Sequence, residues 1–160
     1  LISLFKPMWS LKIHDRHKLL IWKFLWNILP TKSRIGDFVP HQESEECPLC
    51  NQDKETLKHI FIDCPVIRIL WQQSSWPLNL ASLPINSIAD WIRMIIYPEK
   101  ELGLRIEEKH HFQLFAVIIL DFIWRKRNDI VHNHTSLSLE EANIQLKHIY
   151  EEYKDAWKEK

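Results

Sequence analysis

The sequence predicts an all-α protein, a small helical domain with an embedded structural zinc knuckle and long C-terminal helices. Three observations predict it. Gly occurs twice in 160 residues, too rarely for a hairpin-rich β fold whose turns need positive φ. Apolar residues recur every three or four positions in long runs bounded by Pro, Ser and Asn. All three Cys lie between residues 47 and 64, an odd and tightly clustered set that suits a metal better than a disulfide framework. Apolar residues make up 46% of the chain, enough for a real core.

Taken in order, residues 16–29 read as a helix with Asp15 as its N-cap and Pro30 as its stop. Apolar side chains cover nearly every side of it, so it is expected to be largely buried. Thr31 caps a short helix over 32–39, ended by Pro40. Residues 41–54 form a polar turn region with the first two Cys, and 55–63 a short helix broken at Cys64-Pro65. A further helix runs to about Ser74 with Val66, Ile69 and Leu70 inward. After a loop with Pro77 and Pro84, residues 87–97 form a helix capped by Ser87, with Asp90 three residues on and Pro98 closing it. A long helix spans 105–131. The last starts at Ser138, where Ser-Leu-Glu-Glu makes a capping box, and carries one apolar stripe: Leu139, Ala142, Leu146, Ile149, Tyr153 and Trp157.

Basic and acidic residues balance at 21 each, so net charge favours neither nucleic acid nor membrane. The distribution is uneven. Residues 1–40 carry seven basic and two acidic groups, residues 41–64 two basic and six acidic. The first segment suits phosphates and the second does not. No signal peptide is visible at the start, and the most apolar run, Phe112 to Trp124, is too short to span a bilayer and contains Asp121. The expectation is a soluble chain with no membrane partner. Clustered free Cys favour a reducing intracellular compartment, nucleus and cytoplasm being indistinguishable. The sequence begins at Leu1, as a piece of a longer protein would.

The metal pattern is Cys47-x2-Cys50-x8-His59-x4-Cys64. Two thiolates in a tight turn stiffened by Pro48 can face one ion. His59, on the last turn of the predicted helix, and Cys64 just past its end supply the other corners. Three thiolates and an imidazole saturate tetrahedral Zn²⁺ and leave no position for water, so one structural zinc is expected per chain. The bound set carries a charge of about −1, and Lys54 and Lys58 lie near enough in sequence to offset it. The competing reading is three buried reduced Cys beside an unrelated His, and His41 competes weakly as a ligand.

Around these ligands stands a specific series of motifs: Trp9, then Lys23-Phe24-Leu25-Trp26-Asn27, Leu29-Pro30-Thr31, Cys47-Pro48-Leu49-Cys50, Glu55-Thr56, His59-Ile60-Phe61, Cys64-Pro65 and Trp71. In this order they resemble the zinc-binding domain that follows the reverse transcriptase in plant LINE-type (non-LTR) retrotransposon polyproteins. Phe122-Ile123-Trp124-Arg125-Lys126-Arg127-Asn128 is similar to the segment joining that domain to a ribonuclease H domain, so the likeness covers roughly residues 5–131. It implies a zinc-binding domain over 5–76 and a helical linker region over 77–160. It carries the family's zinc ligands onto Cys47, Cys50, His59 and Cys64. The covalent neighbours it implies are a reverse transcriptase before and a ribonuclease H after. One departure is the acidic run Glu43, Glu45 and Glu46 where the family often has basic or small residues, so nucleic-acid contact is not expected from that stretch.

No enzyme is expected in the chain. No Asp-Asp pair for two-metal polymerisation occurs, and no ribonuclease H carboxylate set is visible. His132-Asn133-His134 sits at a predicted helix end, where such residues cap. Asp121 is expected to pair with Arg125 at i+4. Trp22, Trp26, Trp71, Trp91 and Trp124 fall on apolar faces and are expected in the core. The candidate phosphate contacts are Arg16, Lys18, Lys23, Lys32 and Arg34 in the first half and Arg125, Lys126 and Arg127 in the second; solvated helix faces account for both groups equally well. Three readings therefore stand: a non-catalytic module helping a parent reverse transcriptase engage RNA or DNA, a structural or protein-interaction module using the stripe of the last helix, and a decayed element remnant without selected function.

Overall fold

The computed structural model describes residues 2–39 and 44–158; His41 and Glu43 lie outside them, as does the Trp157 side chain. The chain runs α1 (Ile2–Trp9), α2 (Asp15–Leu25), α3 (Lys32–Phe38), a π-helical turn (His59–Asp63), α4 (Pro65–Gln73), a 3₁₀ turn (Leu80–Ser82), α5 (Ile88–Ile96), α6 (Pro98–Glu101), α7 (Ile106–Asn133) and α8 (Leu139–Lys158). Among the described residues the only β pairing is one isolated antiparallel bridge, Glu46 with Lys54. The all-α architecture holds.

Helix α7 is the centre. Its 28 residues extend about 42 Å at 1.5 Å per residue. From Phe112 to Leu120 every side chain is buried, as befits a helix that is apolar on all sides. Gln113 is tolerated there because its amide donates to the Ile96 carbonyl at 3.0 Å. Trp71 of α4 meets Trp91 of α5 and Phe115 of α7 edge-on, and Phe115 in turn meets Tyr150 of α8. Helix α8 lies along α7 with Ala142, Leu146 and Tyr150 buried; the full burial of a Leu such as Leu146 stabilises by about 1.5–3 kcal/mol. The apolar stripe of the last helix is thus spent on internal packing. No described helix is long and apolar enough to cross a membrane.

Several element ends differ from the sequence expectation. The segment before Trp9 is itself helical. The N-cap of α2 is His14, whose Nδ1 accepts from the Arg16 N–H at 3.0 Å, and Asp15 is the first helical residue. Helix α2 also ends at Leu25, not at Pro30. Asn27 adopts φ 52°, and the Asn27 and Ile28 N–H groups donate to the Phe24 and Lys23 carbonyls. This is a Schellman closure built on Asn, which tolerates the left-handed region where most side chains clash. Nor is α2 buried all round: His17, Leu20, Ile21, Phe24 and Leu25 face inward, whereas Leu19 and Trp26 are exposed. Helix α4 turns Ile67, Leu70 and Trp71 inward and leaves Ile69 exposed. Pro98 opens a helical turn as well as closing α5, because a first-turn residue needs no N–H donor. Gly103, at φ 68°, then redirects the chain into α7.

Candidate metal centre

Residues 45–55 form a miniature hairpin. The Cys47 N–H donates to the Asp53 carbonyl at 2.7 Å, the Glu55 N–H to the Glu45 carbonyl at 2.8 Å, and the Asn51 N–H to the Cys47 carbonyl at 2.9 Å. Asn51 takes φ 55° at the tip, a conformation Asn accepts at small cost. Cys47 and Cys50 thereby share one side of the turn. Thr56 then caps the next helical segment, its Oγ1 accepting from the His59 N–H at 3.0 Å. His59 therefore opens that segment instead of lying on its last turn, the place the spacing predicts.

The capped segment is a π turn. The Cys64 N–H donates to the His59 carbonyl at 2.7 Å, a five-residue closure that the spacing does not reveal. The wider turn brings Cys64 back beneath His59, and Pro65 starts α4 immediately after. Single π turns commonly mark functional positions, and here the turn serves ligand geometry. Cys64 also occupies the N-cap position of α4, where the helix dipole favours a thiolate.

The four ligand atoms of Cys47, Cys50, His59 and Cys64 all lie within 4.8 Å of one another. Cys47 Sγ is 3.9 Å from Cys64 Sγ, and Cys50 Sγ is 3.3 Å from His59 Nε2. Around a tetrahedral ion with Zn–S of about 2.3 Å, two sulfurs stand about 3.8 Å apart and a sulfur and a nitrogen about 3.6 Å apart. The donors fit zinc in chemistry and in spacing. Cys47 and Cys64 are fully buried, and His59 nearly so. The Cys64 thiol beside Cys47 and the Cys50 and Leu49 N–H groups hold Cys47 down to about 5, against the opposing effect of burial. Cys64, with Cys47 beside it and buried, is pushed up. Zinc would take both as thiolates, so its binding would be pH-dependent. Four protein donors fill a tetrahedral shell, so this is a structural zinc site.

Lys54 and Lys58 are each paired with a neighbouring carboxylate. Lys54 lies 3.6 Å from Glu45, and Lys58 pairs with Asp63 at 2.6 Å. The stronger anchor, missed in the sequence, is Glu55. It is buried, and its carboxylate accepts from the Lys32 N–H at 2.6 Å, from Arg127 Nε at 2.8 Å and from Arg127 Nη2 at 2.7 Å. Its backbone carbonyl accepts from the Ser33 N–H. One residue therefore ties the hairpin to the N-terminus of α3 and to the chain's longest helix.

That pair removes Arg127 from the candidate phosphate contacts: it is 3% exposed, bidentate to Glu55 and stacked over Trp124 at 4.8 Å. The other candidates lie at or near the surface. Lys18 donates to the Trp9 carbonyl, Arg34 stands over Phe38, and Lys126 over Phe122. Arg125 pairs with Asp121 at 3.0 Å, as its i+4 spacing implies, and Arg16 approaches the same carboxylate at 3.6 Å. Lys23 and Lys32 are half-buried. Trp71 and Trp91 are core residues; Trp22 and Trp124 are half-buried, and Trp26, expected in the core, is 51% exposed. In the string at the end of α7, His134 takes φ 53° as a left-handed cap, and Asn133 donates to Asp129.

Residues 2–71 match the family model described as zinc-binding in reverse transcriptase, a span that holds all four ligands. No curated protein and no solved structure matches the chain.

Proposed function

We propose that this chain is the zinc-binding and linker portion of a plant LINE-type (non-LTR) retrotransposon polyprotein. In this reading it is a non-catalytic module that helps the parent reverse transcriptase engage template RNA or target DNA inside the cell. The convergence of Cys47, Cys50, His59 and Cys64, within the stretch similar to the zinc-binding domain in reverse transcriptase, is the observation that carries it. The ordered motifs through Trp124 and Asn128 support a helical linker toward a ribonuclease H domain. The zinc site itself sits in an acidic stretch, so phosphate contact falls to the basic residues around it: Arg16, Lys18, Lys23, Lys32, Arg34, Arg125 and Lys126.

The test is binding of the zinc-loaded chain to RNA and DNA oligonucleotides as a function of salt. Contact with Z phosphates gives a log–log slope of about −0.7Z on single strands and about −0.9Z on duplex. A slope corresponding to several phosphates is expected. Absence of binding at low salt would remove the nucleic-acid part of this reading and leave a structural module.

A further inference from the structure

Helix α2 has two unlike faces. On its inner face Phe24 meets Phe61 of the π turn edge-on, with ring centres 4.5 Å apart, so the zinc module holds the helix in place. On its outer face, going round the helix, stand Lys18, Trp22, Trp26, Leu19 and Lys23. Helix α1 extends this surface. Phe5 stacks on Trp26 with ring centres 5.6 Å apart and planes 22° from parallel, Trp22 lies 6.3 Å from Trp26, and Lys18 donates to the Trp9 carbonyl. Despite the Phe5 stack, Trp26 keeps half its surface in solvent, and Trp9 and Leu19 are each 44% exposed. Phe5 and Trp22 are half-buried behind Trp26, so Trp26 is the ring this cluster turns to solvent, and a large aromatic ring held half-exposed in this way suits a contact surface.

We propose that this outer face of α1 and α2 is a stacking surface for unpaired nucleotides of a single-stranded nucleic acid, with Trp26 and Trp22 against the bases and Lys18 and Lys23 on the backbone. The proposal rests on the nucleic-acid reading above and names the strand type and the face. Charge complementarity selects this occupant. Lys18 and Lys23 stand on this face of α2 against Asp15, its one carboxylate, while Arg16 at the edge turns to Asp121 of α7 and Tyr153 of α8. Aromatic faces interleaved with cations fit bases and phosphates without sequence preference. A protein partner for so basic and aromatic a face would have to bring its own acids, and it is the rival outcome of the test.

The experiment is fluorescence anisotropy of the zinc-loaded full chain with labelled 15-mers of poly(U) and poly(dT) and with a blunt duplex of the same length. Trp26→Ala is expected to leave zinc content unchanged and to lower the melting temperature by a few degrees through loss of the Phe5 stack. It should weaken single-strand binding by at least about 5-fold, the lower end of what one stacked base contributes, and change duplex binding by less than about 2-fold. Trp26→Phe should restore most of the affinity. Lys23→Gln should reduce the magnitude of the single-strand salt slope by about 0.7, the share of one phosphate. The poly(U) and poly(dT) arms distinguish RNA from DNA as the strand. If the chain binds oligonucleotides and Trp26→Ala binds single strands as well as the parent does, the stacking face is wrong and the nucleic-acid reading survives. If the chain binds no oligonucleotide, both fall. If Trp26→Ala instead abolishes concentration-dependent self-association in sedimentation without altering oligonucleotide binding, the face is a protein contact and the proposal is overturned.

Discussion

At the scale of single residues, Glu55 and Arg127 are the pair on which the zinc module's placement depends. Both are buried, with two near-parallel N–H···O contacts of 2.8 and 2.7 Å. Burying two charges gains little net stability, but removing one partner leaves the other uncompensated. Arg127→Met is expected to cost about 3–5 kcal/mol in urea unfolding. Adding Glu55→Gln should recover part of that loss, because a neutral amide is cheaper to bury unpaired than a carboxylate. A double variant no more stable than Arg127→Met would mean that the pair is not what holds the two regions together. A trace of this is legible in the sequence: Arg127 falls four residues after Ile123 on a buried face of α7, and a charge on an apolar stripe implies a buried partner. The partner's identity is not legible, since Glu55 lies 72 positions away.

At the scale of elements, the hairpin over 45–55 and the π turn are too short to form on their own. The hairpin has a single isolated bridge, and the π turn spans five residues. The metal supplies what local propensity does not, because its ligands are assembled only in the folded segment. Treatment with a chelator, or Cys50→Ser, is expected to abolish binding of one zinc per chain. It should also remove hydrogen-exchange protection from the amides of Cys47, Asn51, Glu55 and Cys64, while α7 amides such as Phe115 and Ile119 stay protected. Protection unchanged across residues 45–64 in metal-free protein would refute a structural role for zinc. The same short-range competition explains the end of α2. Hydrophobic periodicity carries the predicted helix to Pro30, but the Asn27 closure stops it earlier, and periodicity alone does not register a left-handed Asn.

At the scale of the whole molecule, one continuous apolar core runs from Leu4 in α1 through the zinc turn to Tyr150 in α8. His17 sits where three helices converge. It is buried on α2 beside Tyr153 of α8, and its Nε2 is 3.9 Å from Asp121 of α7, beyond hydrogen-bond reach. Burial lowers its pKa from 6.5 to about 4; the attraction of Asp121 opposes this, and nearby Arg16, His14 and Arg125 add to it. The folded form therefore keeps His17 neutral. Above pH 6.5 neither state is protonated there and no stability is lost, whereas between 6.5 and about 4 the unfolded chain gains a proton that the folded chain refuses. The His17 contribution at pH 5 is then a loss of up to about 2 kcal/mol relative to pH 7. His17→Gln should flatten the pH dependence of urea midpoints in this window, the comparison with the parent chain cancelling proton competition at the zinc ligands. Parallel pH profiles for the two proteins would rule out this role.

The helical class, the order of most helices and the four zinc ligands are all written locally in the chain. They rest on apolar periodicity, on caps within a few residues and on thiolate spacing, so reading along the sequence suffices to find them. Contacts between distant positions settle the remainder. Packing buries Arg127 against Glu55, draws the α8 stripe into the core, turns Lys54 and Lys58 to neighbouring carboxylates, and leaves Trp26 in solvent. The physical reason is shared by all four: an apolar or charged side chain states what it needs, and only the packing of helices far apart in sequence determines whether a neighbour supplies it.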